Sequence, residues 1–243
     1  MKEILSLNNP FIKSLKDIAK KGNADSFLVE GFHLVEMASL HGNLDTLLYA
    51  TEEEPKLEAK EKIRVSEAII EKLSHSVTPE PILGLCHKKE GDMYGFSRVL
   101  VLDRVQDPGN LGAIFRNALA FGFKNIILLP GTCSPFNSKA ISSSQGALFG
   151  LNILSMNEEA VIPFLHSRGI KVYATSLKEA ESFESHHFDK DEKIAFIFGN
   201  EGRGASSYLL ENADCRLYIA MEGIDSLNVA VASGILLHAI YVL

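Results

Sequence analysis

The sequence has few cysteines, and their spacing argues against two common kinds of site. Its 243 residues include three cysteines: Cys86, Cys133 and Cys215. An odd number of scattered cysteines without a C-x-x-C pair is typical of reduced thiols rather than of a disulfide framework or a zinc site. His186, His187 and Asp189 are further potential ligands, but they lack the spacing of metal ligands on a helix or strand. We therefore predict that the protein binds no metal.

The sequence also lacks a long hydrophobic run. The longest mainly apolar stretch, Val229–Leu243, is interrupted by Ser233, Gly234 and His238. It is shorter than the roughly 20 apolar residues that span a bilayer, and it predicts a buried or interface helix. Residues 1–9 lack the apolar core and the cleavage site of a secretory signal. We therefore expect a cytoplasmic protein that does not interact with membranes.

Basic residues are not in excess, which argues against a broad nucleic-acid-binding surface. The net charge is −7, and neither half of the chain is basic overall. Because proteins that bind phosphate backbones usually carry a basic footprint, any such surface must be local. The best candidate is a predicted N-terminal helix with Lys13, Lys16, Lys20 and Lys21 at helical spacing. A solvated helix face is the alternative.

The chain divides into two regions with different patterns. Residues 1–92 mix short helical and strand-like patterns, which predicts a small α/β domain, and a polar stretch at 88–95 predicts a linker. Residues 98–243 alternate strands with helices, which predicts a mostly parallel sheet with helices on both faces. The predicted strands of this second domain are 98–102, 125–129, 151–154, 171–175, 194–198 and 215–220, and its predicted helices are 110–121, 137–148, 157–168, 205–212 and 226–242.

Three loops rich in glycine and asparagine follow strand-like runs of the second domain. They cover residues 107–116, 198–204 and 226–228. Polar loops at strand ends are where α/β proteins bind ligands. In the helix that follows the first loop, Asn110 is the predicted N-cap and Gly122 the predicted end. Arg116 lies off the apolar stripe of this helix, in its second turn, so its guanidinium can reach an anion in the adjoining loop.

The loop at 198–204 does not match the nucleotide-binding motifs. Its glycines follow the pattern G-x-x-G-x-G rather than the dinucleotide pattern G-x-G-x-x-G. Ala205 and Ser206 stand where a P-loop has lysine and then serine or threonine. Glu201 lies between the glycines and would repel a polyphosphate. The loop therefore favours a neutral or cationic ligand and argues against an oxidoreductase that binds a nicotinamide.

Together the three loops resemble the ordered motifs of the SpoU-type RNA ribose 2′-O-methyltransferases of the SPOUT superfamily. The motifs read Asp107-Pro-Gly-Asn-Leu-Gly-Ala-Ile-Phe-Arg-Asn-Ala, Phe198-Gly-Asn-Glu-Gly-Arg-Gly and Ser226-Leu-Asn-Val-Ala-Val-Ala, and the resemblance covers residues 98–243. In addition, Glu30–Glu36 resembles the small substrate-binding domain of members that act on ribosomal RNA. The resemblance implies S-adenosylmethionine as cofactor, RNA as substrate with ribosomal RNA favoured over transfer RNA, a deep trefoil knot, and a homodimer formed through the knotted domain.

The resemblance also implies roles for individual residues. The implied catalytic residues are Arg116, Asn110, Glu201, Ser226 and Asn228. The implied cofactor-binding residues are Thr175, Gly199, Ile219 and Leu227. The candidate RNA-binding residues are Arg104, Lys13 and Lys16. For Asn110, Ser226 and Asn228, helix capping is the alternative role, and Glu201 either orients Arg116, balances a sulfonium, or only accepts backbone N–H bonds. A non-catalytic RNA-binding or ribosome-assembly factor on the same scaffold is the alternative function.

Overall fold

The protein is described from a computed structural model that covers residues 2–21, 23–89, 91–92, 95, 97–189, 191–224 and 226–243; the side chains of Lys20 and Lys21 lie outside this description. The predicted linker at 88–95 includes Glu90, Met93 and Tyr94, which are also outside it. Contacts divide the chain into two compact units. The first comprises Met1–Lys89 with Phe136–Phe149, and the second comprises Glu90–Pro135 with Gly150–Leu243.

The first unit is built on a five-stranded mixed sheet. Its strands are β1 (Lys2–Ile4), β2 (Ser26–Glu30), β3 (Leu44–Tyr49), β4 (Glu61–Val65) and β5 (Ile82–His87), and its first three helices are α1 (Pro10–Lys21), α2 (Phe32–Leu40) and α3 (Glu67–Leu73). The strand order is β1-β4-β3-β5-β2. The pairs of β4 with β1 and β3 are parallel, and the pairs of β5 with β3 and β2 are antiparallel. Helix α1 buries Ile12 and Leu15 in a core that includes residues of α3.

The second unit is built on a seven-stranded sheet whose neighbouring strands are all parallel. Its strands are β6 (Arg98–Leu102), β7 (Asn125–Leu128), β8 (Asn152–Ser155), β9 (Lys171–Thr175), β10 (Glu181–Ser182), β11 (Ile194–Phe198) and β12 (Cys215–Tyr218). The order is β10-β12-β9-β11-β6-β7-β8. Its helices are α4 (Pro108–Ala120), α6 (Glu158–His166), α7 (Ser207–Asn212) and α8 (Val229–Tyr241), while α5 (Ser138–Ser144) groups with the first unit. The predicted α/β fold with a parallel sheet is confirmed.

The central strands of the second unit are buried on both faces, as in other parallel sheets covered by helices. Alternate residues of β6, Val99 and Val101, pack in one core cluster with Val161 and Leu165 of α6. Leu100 and Leu102 of β6 are equally inaccessible to solvent. Helices α4 and α8 pack against each other. Within the described part of the chain, no helix is both long and apolar enough to cross a membrane.

The segment 136–149 packs with the first unit, whereas the sequence predicted it as part of the second domain. The rings of Phe136 and Phe149 lie 4.8 Å and 6.1 Å from the ring of Phe27 on β2. The predicted helix 137–148 is also shorter, because Gln145 and Gly146 adopt left-handed backbone angles, with φ of 48° and 85°, and end α5. The division into domains 1–92 and 98–243 stays a prediction.

Helices α4 and α8 begin at different residues from those predicted, and their caps explain the differences. Helix α4 begins at Pro108, because the Asp107 side chain accepts a hydrogen bond from the backbone N–H of Asn110 at 2.9 Å. The prediction of Asn110 as N-cap is therefore wrong, and the rigid ring of Pro108 suits the first helical position. Helix α8 begins at Val229 rather than at residue 226, because Asn228 is its N-cap.

Candidate cofactor pocket and catalytic residues

A cavity of about 900 Å³ lies in the second unit beside the carboxyl ends of three neighbouring strands. The strands are β9, β11 and β12, and the loops that follow them supply most of the lining. All four predicted cofactor residues line the cavity: Thr175, Gly199, Ile219 and Leu227. Glu201 and Ser226 line it as well. Its volume is in the range of pockets that hold a small molecule or a cofactor.

The loop after β11 passes so close to itself that only glycine fits at its start. A Cβ atom on Gly199 would lie 2.0 Å from the backbone nitrogen of Ala205 and 2.1 Å from the carbonyl carbon of Gly204. Asn200, which the sequence analysis missed, also holds the loop: its side chain donates to the carbonyl of Arg104 and accepts from the backbone N–H of Gly202. The shape of this wall of the cavity is therefore fixed by backbone contacts.

The other walls combine apolar and polar groups. Ile219 and Leu227 are partly exposed and present apolar surface. The Thr175 hydroxyl donates to the carbonyl of Ile197 at 2.9 Å, which fixes this side chain against β11. The Ser226 side chain is exposed and makes no hydrogen bond with the described residues, so it is not the cap of α8. Its hydroxyl is available to a ligand.

Three of the five predicted catalytic residues form a continuous hydrogen-bonded line. The Asn228 side-chain nitrogen Nδ2 donates to Asn110 Oδ1 at 2.9 Å, and Asn110 Nδ2 donates to Glu201 Oε1 at 3.1 Å. At the same time Asn228 Oδ1 accepts from the backbone N–H groups of Ala230 and Val231. The amide of Asn228 therefore has two roles: its oxygen caps α8, and its nitrogen contacts Asn110.

Glu201 is held mainly by N–H donors from the first loop. Besides Asn110 Nδ2, the backbone N–H groups of Gln106 and Asp107 approach its carboxylate at 3.5 Å and 3.3 Å. Partial burial raises the pKa of Glu201, but hydrogen bonds from its own backbone, from Asn110 and from residues 106 and 107 outweigh this effect and hold the pKa below its usual value. Glu201 is therefore a carboxylate at neutral pH. It makes no hydrogen bond or ion pair with Arg116 in the described structure.

Arg116 is exposed on α4 and is free to bind a ligand. Its side chain makes no hydrogen bond or ion pair with any residue that the structure describes. Because α4 begins at Pro108, Arg116 lies in the third turn of the helix rather than in the second, as predicted. Its five N–H donors are available for a planar anionic group.

Arg104, a predicted RNA ligand, is engaged in an ion pair instead. Its Nε and Nη2 donate to the two carboxylate oxygens of Asp103 at 2.9 Å and 2.8 Å, and the Asp103 side chain is buried. The side-chain hydrogen bond with Asp103 raises the pKa of Arg104. Asp103 also accepts from the backbone N–H of Ser206. The Arg104 side chain thus helps to hold two loops, and only its remaining N–H groups are left for phosphate.

Lys13 and Lys16 belong to the first unit. They lie on α1, on which Ile12 and Leu15 face the core. Neither lysine makes an ion pair with the described residues. They therefore remain candidate RNA ligands, with a solvated helix face as the alternative.

We expect Asn228→Ala and Asn228→Asp to separate capping from contact with Asn110. The alanine variant loses both functions, and loss of the cap should lower the free energy of unfolding by about 1 kcal/mol. The aspartate variant keeps an oxygen for the N–H groups of Ala230 and Val231 but has no donor for Asn110. It should retain stability and lose the methyl transfer that the resemblance implies. Urea unfolding and turnover measurements test this, and a fully active Asn228→Asp variant would contradict a role for the contact.

The depressed pKa of Glu201 predicts a pH-dependent contribution to stability. Its ordinary value is 4.5, and the folded state lowers it. The stabilisation is therefore fully present above about pH 4.5 and is lost as the pH falls through the folded-state value. We expect Glu201→Gln to destabilise the protein at neutral pH, and the difference from wild type should shrink below pH 4.5. Urea midpoints measured at several pH values test this; a difference that stays constant would refute it.

Comparisons with known proteins agree over both parts of the chain. Residues 97–238 match the SpoU rRNA methylase family, and residues 9–84 match the MRM3-like substrate binding domain. The chain is 35% identical over 246 residues to the 23S rRNA (guanosine(2553)-2′-O)-methyltransferase RlmP of Bacillus subtilis, covering 98% of each protein. It is 29% identical to a tRNA/rRNA methyltransferase of Synechocystis, slr1673, whose function is uncharacterized, over 97% of this chain and 92% of the relative.

Solved structures give the same result. The AdoMet-bound rRNA methyltransferase from Sinorhizobium meliloti superposes with a TM-score of 0.86 at 29% identity, covering 98% of this chain and 97% of that one. An RNA 2′-O ribose methyltransferase superposes with a TM-score of 0.79 at 28% identity, over 98% and 97% of the two chains.

The fold and these similarities define an RNA methyltransferase that uses S-adenosylmethionine. The chain belongs to the SpoU rRNA methylase family. The predicted family, enzyme class and cofactor are confirmed.

Proposed function

We propose that the protein transfers a methyl group from S-adenosylmethionine to the 2′-hydroxyl of one ribose in 23S ribosomal RNA. One observation carries this proposal: the cavity at the ends of β9, β11 and β12 adjoins the predicted catalytic residues. Glu201 lines the cavity and is connected by hydrogen bonds to Asn110 and, through it, to Asn228. The name of the Bacillus subtilis relative supports the choice of RNA.

The residues of the cavity fit S-adenosylmethionine. Ile219 and Leu227 offer apolar surface for the adenine ring, and the loop that begins at Gly199 brings backbone atoms to the wall without a side chain between them. The Glu201 carboxylate is ionised at neutral pH and favours a positively charged ligand. When bound, S-adenosylmethionine supplies an electrophilic methyl group on a sulfonium.

The chain itself contributes mainly positioning and charge. We assign to Arg116 the binding of the phosphate next to the target ribose. Its guanidinium can bind this phosphate with two parallel hydrogen bonds. An arginine is a poor base, because removing its proton at pH 7 costs roughly 7–9 kcal/mol. A bound guanidinium instead stabilises the negative charge that develops on the 2′-oxygen, and phosphate or water accepts the proton. The amides of Asn110 and Asn228 hold the ribose.

We also propose that the protein is a cytoplasmic homodimer that associates through α8 and contains the trefoil knot. An exposed apolar strip on and after α8 supports the dimer; its members and exposed fractions are Val231 at 52%, Ile235 at 41%, Tyr241 at 57% and Val242 at 64%. A strip of this kind favours burial against another protein surface. The first unit, with Lys13 and Lys16, is the proposed RNA-binding part, and ribosomal RNA as substrate supports the cytoplasm.

The proposed activity is tested by mapping ribose methylation on ribosomal and transfer RNA in a strain that lacks the gene. We expect one methylation in 23S ribosomal RNA to disappear and to return with the wild-type gene. The purified protein should bind S-adenosylmethionine and label that RNA. Binding of RNA without binding of S-adenosylmethionine and without labelling would favour the non-catalytic assembly factor. Unchanged methylation of every ribose would refute the proposal.

A further inference from the structure

A glutamate, a histidine and a cysteine meet at the edge of the seven-stranded sheet, away from the residues assigned to catalysis. They are Glu181, His186 and Cys215, and one potential ligand atom of each lies within 4.8 Å of the other two. Glu181 is the first residue of β10 and pairs with Leu217 of β12. Because Cys215 precedes Leu217 by two residues, its side chain points to the same face of the sheet. The Cys215 Sγ atom lies 3.1 Å from Glu181 Oε1.

The histidine reaches this pair from a chain reversal after β10. A short 3-10 helix at Phe183–Ser185 turns the chain, and His186 Nδ1 then hydrogen-bonds to the Glu181 carboxylate. The sequence interval between Glu181 and Cys215 hides this cluster from an analysis of motif spacing. The prediction that the protein binds no metal considered His186 only together with its neighbours His187 and Asp189.

The imidazole of His186 is held in one orientation by aromatic rings. The rings of Phe188 and Tyr173 lie 4.6 Å and 5.2 Å from it, both edge to face. Its Nε2 atom lies 3.3 Å from the hydroxyl of Tyr173, which in turn donates to Glu192 at 2.6 Å. Metal-binding histidines are typically oriented in this way, with the second ring nitrogen donating to a fixed acceptor. Nδ1 therefore faces the cluster, and Nε2–H faces Tyr173.

The cluster of Glu181, His186 and Cys215 is open to solvent on one side. The His186 side chain is 13% exposed, whereas the Glu181 side chain is 51% exposed. An ion can therefore enter from solvent and keep a water molecule as a ligand. One thiolate and one carboxylate balance the charge of a divalent cation, and the nearby charges of Lys171 and Glu192 are paired with each other at 3.2 Å.

We propose that Glu181, His186 and Cys215 bind one zinc ion, with water as the fourth ligand. Zinc binds Cys sulfur, His nitrogen and Glu oxygen, and zinc sites with an open position have three protein ligands. The thiolate argues against magnesium and calcium, which prefer oxygen ligands. Binding forms a Zn–S bond and a Zn–N bond, and it releases to solvent the thiol proton of Cys215 and the Nδ1 proton that His186 donates to Glu181, without any oxidation or reduction.

The proposed ion connects two parts of the cofactor pocket wall. The segment between β9 and β10 begins with Ser176–Glu179, which line the cavity, and the residues after β12 line it too. Glu181 and His186 follow the first of these stretches, and Cys215 precedes the second. A zinc ion bound to all three residues would therefore resist separation of β10 from β12. This role does not depend on the proposed RNA substrate.

The test uses the full chain, loaded with Zn²⁺ and then dialysed against metal-free buffer. We expect one zinc per chain in wild type and loss of zinc in Cys215→Ser. Cys133→Ser is the matched control, since this cysteine is also partly exposed and belongs to no ligand cluster in the described structure; it should retain zinc. Glu181→Gln changes a half-exposed side chain and provides a second variant if Cys215→Ser does not fold.

Cobalt(II) gives an independent readout of the sulfur ligand. Wild-type protein loaded with Co²⁺ should show thiolate-to-cobalt charge-transfer absorption, and Cys215→Ser should lack it. Tyr173→Phe keeps the three ligands but removes the acceptor of His186 Nε2–H, and we expect zinc affinity to fall about tenfold. The proposal would be overturned if wild-type protein retained no zinc or lacked this absorption. It would also be overturned if Cys215→Ser retained as much zinc as wild type.

Discussion

Replacing Arg116 with alanine is expected to abolish methyl transfer and to leave the affinity for S-adenosylmethionine nearly unchanged. The side chain is exposed, makes no contact by hydrogen bond or ion pair with the described residues, and does not line the cavity. Its removal should therefore cost little stability. Loss of a group that stabilises developing charge typically lowers kcat by about 10²–10³-fold. Single-turnover methylation assays and calorimetric titration with S-adenosylmethionine measure the two quantities separately.

Two further variants make this experiment specific. Arg116→Lys keeps the charge but cannot bind phosphate with two parallel hydrogen bonds, so we expect partial activity. Lys124→Ala removes an equal charge from an exposed residue directly before β7, at the opposite ends of the strands from the cavity, and should have wild-type activity. Wild-type turnover by Arg116→Ala would contradict the role of Arg116 in binding the phosphate next to the target ribose. A large loss of affinity for S-adenosylmethionine would instead indicate that Arg116 binds the cofactor.

Replacing Gly199 with alanine is expected to destroy the cofactor pocket. The added methyl group would lie 2.0 Å from the backbone nitrogen of Ala205, and backbone atoms cannot rotate away as a side chain does. The loop must shift, and overpacking of this kind typically costs about 1–3 kcal/mol or more. We expect loss of S-adenosylmethionine binding together with a lower melting temperature.

Gly202→Ala is the matched control in the same loop. A Cβ atom at Gly202 meets only the Asn200 side chain, at 3.7 Å, which is an ordinary contact. This variant should bind S-adenosylmethionine as wild type does and should melt at the same temperature. The structural interpretation of the loop fails if Gly199→Ala behaves like Gly202→Ala in both measurements.

The sequence predicts the central strands well because their chemistry is uniform. Strands β6, β9 and β11 have the predicted bounds, since buried parallel strands are almost continuous apolar runs between polar loops. Helix starts are predicted less well, because several polar residues compete for the cap. Asp107, Asn110, Ser226 and Asn228 are all good caps by composition, and only the three-dimensional structure shows that Asp107 and Asn228 act as caps.

Long-range packing cannot be predicted in this way. The apolar pattern of 137–148 predicts a helix, but nothing in it shows that Phe136 and Phe149 pack around Phe27, more than a hundred residues earlier. The same limit applies to the site. Motif resemblance indicates that Asn110, Glu201 and Asn228 belong together, whereas the direction of their hydrogen bonds and the isolation of Arg116 require coordinates.

The helix that carries Arg116 is joined to the first part of α8 by hydrogen bonds that involve two of its residues. Next to Arg116, Asn117 Nδ2 donates to the carbonyl of Ala230 at 2.8 Å and contacts the hydroxyl of the buried Ser233 at 3.0 Å. Asn110 is joined to the start of α8 through Asn228. These two connections lie about two turns apart on α4, and they prevent one helix from sliding along the other. Any displacement imposed on α8 by a neighbouring molecule is therefore transmitted to the part of α4 that carries Arg116.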